Sequence, residues 1–195
     1  MSDIVLVIGS GGREHCLAWK LAKSKHVSKV FVLPGNGGSK TDEMYYCSTT
    51  KIENVTSISI AEHSEVKAFC LKMKVSLVVV GPEAPLADGI VDYLSGHGIL
   101  CFGPTKEAAR IETSKAFAKD FMSRHGIPTA QFKTFTDCKS ACEHIRAVGY
   151  PALVVKASGL AAGKGVIVAK DCDEAEKAVV DMLQVCQLLY DFSIC

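Results

Sequence analysis

The sequence has almost no net charge: 22 Lys and Arg stand against 21 Asp and Glu, leaving +1 at neutral pH. A nucleic-acid partner or an anionic membrane surface calls for a basic excess, so neither is expected. Long apolar runs are also missing. The opening stretch MSDIVLVIGSGG is cut off by glycines well short of a bilayer span. No basic segment precedes it, so a signal peptide is not expected and the cytoplasm is the expected compartment. The nine cysteines contain no C-x-x-C pair. Cys16, Cys47, Cys70, Cys101, Cys138, Cys142, Cys172, Cys186 and Cys195 are scattered and odd in number, which points to reduced thiols. Cys138, Cys142 and His144 lie near enough to suggest a metal, but no second ligand cluster accompanies them, and one face of an amphipathic helix accounts for the spacing. There is no internal repeat, no low-complexity segment and no nucleophile–base constellation.

What is present is the composition of a soluble globular chain, 48% hydrophobic and 22% charged. IVLVIG (4–9), KVFVLP (29–34), SLVVVG (76–81) and ILCFG (99–103) are short apolar, largely β-branched runs of the kind that form strands buried on both faces. Helical patterns over 14–23, 61–73 and 86–96 alternate with them, and 37–57 is polar and weakly periodic. Alternation of this kind predicts βαβ units and an α/β fold with a parallel sheet. Ligands of such sheets bind at the carboxyl ends of the strands, which here read GSGGREH, PGNGG, GPEAPL and FGPT. Residues 105–125 are charged and helix-prone, and Pro128 ends that stretch. After it come QFKTF as a strand, a helix over 137–147, PALVVKA and GVIVA as strands, and a last helix with Asp171 and Glu174 as a capping box. Trp19 is expected in the core. His15 is placed either against a ligand or in packing on the first helix.

Two loops carry the chemistry. In GSGGREH, Gly9, Gly11 and Gly12 follow a buried strand and open a helix, where backbone N–H groups favour an anion. A dinucleotide fingerprint would need a glycine where Glu14 stands and an acid at the end of the second strand, where the sequence reads Pro34-Gly35-Asn36. Arg13 beside the loop suggests a single phosphate instead; a plain βα turn with a solvated Arg–Glu pair is the alternative. GLAAGKGV (159–166) is not a Walker A loop, because the spacing is one residue short and the loop joins strand to strand. Its glycines and Lys164, with Lys156 on the entering strand, can still fold over phosphates. An ordinary hairpin loop with a solvated lysine is the alternative.

Five segments run in one order from residue 4 to about 180: VLVIGSGGREHCLAWKL, LPGNGG, VVVGPEAPLADGI, CFGPTKEAARIETSKAFAKDFMSRHGIPTAQF and PALVVKASGLAAGKGVIVA. Together they resemble the glycinamide ribonucleotide synthetases (phosphoribosylamine–glycine ligases), and the last resembles the small-lobe hairpin of the ATP-grasp ligases. The resemblance implies an α/β fold with a substrate-binding parallel-sheet domain at 1–104, a helical connector at 105–128, an ATP-grasp small lobe at 129–182 and a divergent tail at 183–195. It implies ATP-dependent joining of glycine to 5-phosphoribosylamine in purine biosynthesis, by way of an acyl phosphate of glycine. Gly9, Ser10, Gly11, Gly12, Arg13, Glu14, Gly35, Asn36 and Glu83 would hold the ribosyl phosphate substrate. Lys115, Lys156, Ser158, Gly159, Gly163, Lys164 and Gly165 would hold ATP. Mg2+ or Mn2+ would accompany the nucleotide on ligands outside this chain, and no catalytic side chain is expected within it, since such ligases act by positioning and charge neutralisation. The family is much longer, so a truncated chain with little or no ligase activity alone is expected. A non-catalytic ribosyl-phosphate-binding or regulatory fragment is the alternative.

Overall fold

The computed structural model describes residues 2–39, 51–150, 153–158 and 165–186. The chain divides into two compact units, Met1–Ala109 and Arg110–Cys195.

In the first unit, β1 (Asp3–Gly9), α1 (Gly12–Ala22), β2 (Val27–Pro34), β3 (Ile52–Asn54), α2 (His63–Met73), β4 (Leu77–Val80), α3 (Glu83–Asp88), α4 (Ile90–Ser95) and β5 (Cys101–Phe102) follow in order. The strands form one parallel five-stranded sheet, order β3-β2-β1-β4-β5. Side chains alternate across a strand, so β1 sends Leu6 and Ile8 to one face and Val5 and Val7 to the other. The first pair joins Leu33, Val66, Val78, Ile90 and Leu94 in one core cluster, and the second joins Ala18, Ala22, Val30 and Val32. Both faces are therefore covered by helices, which is why these strands read as continuous apolar runs rather than alternating ones. The order reverses direction at β1 and β4, so their carboxyl ends flank the crevice where such sheets take ligands.

Three readings of this unit are corrected. The polar stretch 37–57 holds a third parallel strand, β3, with Ile52 paired to Val30; residues 40–50 lie outside the described residues. The helix expected over 86–96 is two helices, because Gly89 takes φ +90° between them, a conformation open to glycine. Trp19 is 39% exposed rather than in the core. Helix α1 turns Ala18 and Ala22 to the sheet, which puts Trp19 on the outer side under the Lys23 ammonium, 3.5 Å from the ring centroid.

Helix α5 (Lys106–Thr113) leads out of this unit. The second unit carries α6 (Lys115–Arg124), α7 (Cys138–Ala147), β6 (Val154–Lys156), β7 (Val166–Val168) and α8 (Cys172–Cys186). Strands β6 and β7 form an antiparallel hairpin with Val154 opposite Val168. Ala141 and Ile145 of α7, Val155 of β6, and Ala175, Val179 and Met182 of α8 make its core. Asp171 accepts from the Glu174 N–H at 2.8 Å, and the Glu174 carboxylate accepts from Lys170 N–H at 2.8 Å, so the expected box closes one residue early. Of QFKTF only Phe135 makes a β-bridge, so the expected strand is reduced to one residue; a cavity of 340 Å³ lined by Phe132, Phe135, Val155 and Lys156 lies beside it. Cys138 and Cys142 pack on the core with their sulfurs 3.9 Å apart, while the His144 ring stacks near Phe135 and Tyr150.

Candidate ligand-binding rim

The carboxyl end of β1 is where the first glycine loop turns into α1. Gly9 takes φ +132°, and Gly11 caps the helix in an extended conformation, φ −86° and ψ 177°. The first turn of any helix lacks partners for its N–H groups. Here Gly11 N–H donates to Glu14 Oε2 at 2.7 Å, the return half of a capping box. Glu14 Oε1 accepts from Arg13 Nε at 2.8 Å. Glu14 itself is 3% exposed, whereas Arg13 is open to solvent, and its Nη2 reaches Glu83 Oε2 at 3.7 Å. The structure thus brings the ends of β1 and β4 together through one guanidinium.

Burial alone would push the Glu14 carboxyl up. The hydrogen bonds from Arg13 and the Gly11 amide together outweigh it and hold the group below its ordinary value. The same hydrogen bond, donated to Glu14, raises the affinity of the Arg13 guanidinium for its proton, with Glu83 adding to it. The result is a fixed, fully charged fork at the mouth of the crevice.

The end of β2 is tied to the end of β1 by Asn36. Its Nδ2 donates to the carbonyl oxygens of Ser10 and Gly11, at 2.8 and 3.2 Å. Its Oδ1 accepts from the Gly38 and Ser39 amides, at 2.8 and 3.0 Å. Both polar atoms of Asn36 are engaged within the loop. Gly35 (φ +76°) lies so close to Asn54 that an added Cβ would meet Asn54 Cγ at 2.5 Å. His15 packs beside Gly38, where a Cβ would stand 2.8 Å from its ring.

The rim residues named from sequence, Gly9, Ser10, Gly11, Gly12, Arg13, Glu14, Gly35, Asn36 and Glu83, stand at the ends of β1, β2 and β4. Three residues behind them were not singled out. Ser39 is 1% exposed and donates to Asn54 Oδ1 at 2.8 Å; Asn54 ends β3; Gly81 follows β4, donates to Ile8 O at 3.0 Å and packs on Glu14. No spacing signal marks Asn54, because its partners lie in another loop.

Among the nucleotide residues named from sequence, Gly159, Gly163 and Lys164 lie outside the described residues. Ser158 is 6% exposed. Its hydroxyl accepts from Ala116 N–H at 3.1 Å and lies 3.3 Å from the Ser114 hydroxyl. That places it at the N-terminus of α6, directly beside Lys115. Gly165 closes the hairpin by accepting from Ala157 N–H at 2.8 Å. Lys156 leaves β6 half-buried and lines the cavity together with Lys119 and Lys133. Among the described residues no group of three or more His, Cys, Asp or Glu is placed to hold a metal ion.

Residues 3–112 match the family profile described as phosphoribosylglycinamide synthetase, N domain, and residues 113–188 the profile described as phosphoribosylglycinamide synthetase, ATP-grasp (A) domain. The chain is 58% identical over 184 residues to the trifunctional purine biosynthetic protein adenosine-3 of Gallus gallus, covering 94% of itself and 18% of that protein. It is 52% identical over 179 residues to the phosphoribosylamine–glycine ligase of Pasteurella multocida, covering 92% of itself and 40% of the ligase. The crystal structure of the phosphoribosylamine–glycine ligase of Thermotoga maritima superposes with a TM-score of 0.71 at 28% identity, over 98% of this chain and 42% of the other. The chain therefore spans less than half of the relatives it matches, and by both of its matched segments it belongs to the phosphoribosylglycinamide synthetase family.

Proposed function

We propose that this chain holds the ribosyl phosphate of 5-phosphoribosylamine for ATP-dependent ligation to glycine. The observation that carries this reading is the Arg13 fork, pinned by buried Glu14 at the crevice between β1 and β4. A phosphate dianion set against the first turn of α1 would meet backbone N–H groups and a guanidinium together, a pairing suited to bidentate recognition. Gly9, Ser10, Gly11 and Gly12 let it approach closely, and Gly35, Asn36 and Glu83 border the same rim.

The nucleotide half rests on the ATP-grasp description of the second matched segment, with Lys115, Lys156, Ser158 and Gly165 as its described residues. Two lysines and a helix N-terminus would neutralise triphosphate charge, and their contribution is positioning and electrostatics rather than proton transfer. Mg2+ accompanies ATP in this reading on ligands other than the described side chains.

The test is calorimetry of the purified chain with ribose 5-phosphate, beside ADP release from Mg-ATP with phosphoribosylamine generated in situ, with and without glycine. Ribose 5-phosphate binding that is lost in Arg13→Ala supports the reading. Glycine-dependent ADP release extends it to the whole reaction. Binding without ADP release supports instead a chain that serves only as a ribosyl-phosphate-binding fragment. No binding of ribose 5-phosphate overturns it.

A further inference from the structure

Among the described residues Glu14 is the one charged side chain that is buried, 3% exposed, and three glycines are packed around it. A Cβ on Gly9 would stand 2.5 Å from Glu14 Cγ, one on Gly11 would stand 2.8 Å from Oε2, and one on Gly81 would stand 2.6 Å from Cγ. These glycines come from the end of β1, the helix cap and the end of β4, the two strands that flank the crevice. The side chain is therefore closely packed beneath the rim and nearly closed to solvent. Each oxygen is already taken, Oε2 by the Gly11 amide and Oε1 by Arg13 Nε.

A carboxylate directly under a phosphate site is costly by charge alone, because it repels the dianion it would sit beside. Its position makes sense if what it fixes is worth more than what it repels. An exposed arginine carries several rotatable bonds, and ordering it on a ligand costs binding free energy. Anchoring Nε to a buried acceptor removes much of that freedom, while Nη2 stands 3.7 Å from Glu83 Oε2 on the rim.

We infer that Glu14 is a positioning residue for phosphate, orienting the Arg13 guanidinium and the Gly11 turn without touching the ligand. The inference rests on the ribosyl-phosphate reading above. It differs from a direct contact between Glu14 and the amine or hydroxyls of the sugar, and the direction of one effect separates them from simple charge repulsion. Removing the charge while keeping the shape would tighten phosphate binding if repulsion dominated. It weakens binding if Glu14 orients Arg13.

The experiment is a double-mutant cycle on the purified 195-residue chain, read by calorimetry with ribose 5-phosphate and with inorganic phosphate. Glu14→Gln, Arg13→Gln and the double variant are compared, each checked for native circular dichroism. Glu14→Gln is expected to weaken both probes about tenfold, as loss of one charged hydrogen-bond partner does. Adding Glu14→Gln to Arg13→Gln is expected to cost little more, since residues acting as a unit are not additive. Should Glu14→Gln not fold, Gly11→Ala takes its place. Its methyl displaces the carboxylate at a backbone angle any residue adopts, and weaker binding of both probes is again expected. Equal or tighter binding in a folded Glu14→Gln or Gly11→Ala chain overturns the inference, as do additive losses. A loss confined to ribose 5-phosphate, with inorganic phosphate unaffected, assigns Glu14 to the sugar and overturns it too. Failure of the wild-type chain to bind ribose 5-phosphate removes the ribosyl-phosphate reading itself and this role with it, an outcome distinct from wild-type binding that Glu14→Gln leaves unchanged.

Discussion

Asn54 Nδ2 donates to the carbonyl oxygen of Asn36 at 2.8 Å, joining the carboxyl ends of β3 and β2. Asn54 Oδ1 accepts from the Ser39 hydroxyl at 2.8 Å, and Ser39 in turn accepts from Asn36 N–H at 2.7 Å. One side chain thus holds the loop whose Asn36 reaches over to Ser10 and Gly11. Replacing it by Ala removes both hydrogen bonds, while the Ser39 hydroxyl keeps the Asn36 carbonyl within reach at 3.0 Å. Asn54→Ala is expected to lose about 1–3 kcal/mol of stability in the first unit. The sequence has a single tryptophan, Trp19 on α1, so its fluorescence in urea reports on that unit. An unchanged urea midpoint would show that the staple contributes nothing.

Gly81 and Gly37 make a matched pair. A methyl on Gly81 would stand 2.6 Å from Glu14 Cγ and 2.7 Å from Cδ, while one on Gly37 meets nothing within 4 Å. A methyl on Gly81 meets Cγ, so the whole Glu14 side chain rather than its carboxylate end would have to move. Gly81→Ala is expected to cost about 1–3 kcal/mol as an overpacked site. Gly37→Ala is expected to stay within about 0.5 kcal/mol, as most surface substitutions do. Trp19 fluorescence in urea measures both, and a Gly81→Ala chain as stable as wild type would remove the close packing argued here.

Acid should loosen the same region. The folded Glu14 carboxyl titrates below its ordinary value of 4.5, because Arg13 and the Gly11 amide outweigh its burial. A carboxyl depressed on folding contributes fully above its unfolded pKa, and the contribution is lost as pH falls through the folded one. The urea midpoint followed by Trp19 is expected to drop between about pH 5 and about pH 3. Glu14→Gln, though less stable throughout, is expected to show a shallower drop. Parallel pH profiles would assign the acid sensitivity to other carboxylates.

The strand pattern was legible because β1, β2 and β4 are buried on both faces, which leaves continuous runs of Val, Ile and Leu. The third strand was not. Ile52–Asn54 pairs only with β2 and carries Glu53 outward, so no apolar run marks it. QFKTF reads as a strand by composition, yet only Phe135 makes a β-bridge and the residues before it line a cavity. The glycines at the strand ends announced a rim, since a close backbone approach needs them. What stands behind them was hidden, because Asn54 and Ser39 meet the rim only through the order in which the strands assemble. Glu14 shows the limit most clearly. Its spacing disqualifies a dinucleotide fingerprint, but only the fold places its carboxylate under the glycines rather than above them.

Thiol chemistry should follow burial. Cys16 and Cys172 are exposed, whereas Cys70 is buried, and burial with the neighbouring Cys101 pushes its thiol up to about 11. Burial and Cys138 push Cys142 up to about 11 as well. Only the thiolate attacks alkylating reagents. At about pH 8 the thiolate fraction of Cys70 and Cys142 is roughly a hundredfold below that of an ordinary cysteine. Among the six described cysteines, iodoacetamide followed by peptide mass spectrometry is expected to mark Cys16 and Cys172 first and Cys70 last. Early labelling of Cys70 would mean that α2 leaves the sheet readily.

Ser158 and Ser114 share the N-terminus of α6. Ser158 Oγ accepts from Ala116 N–H at 3.1 Å, Ser114 Oγ accepts from Phe117 N–H at 3.3 Å, and the two hydroxyls lie 3.3 Å apart. Each satisfies one of the donors that a helix start leaves open, and removing such a cap costs about 1 kcal/mol. The hydroxyl that remains cannot reach both amides, yet it is freed from its own partner. Because either single change already breaks the contact between the two hydroxyls, the double substitution is expected to cost less than the two single costs added. Hydrogen exchange at the Ala116 amide is the direct reading, because that N–H loses its acceptor in Ser158→Ala and keeps it in Ser114→Ala. Faster exchange only when Ser158 is absent would confirm that the residue entering the glycine loop also fixes the turn that carries Lys115. Equal exchange in both variants would leave Ser158 without that role.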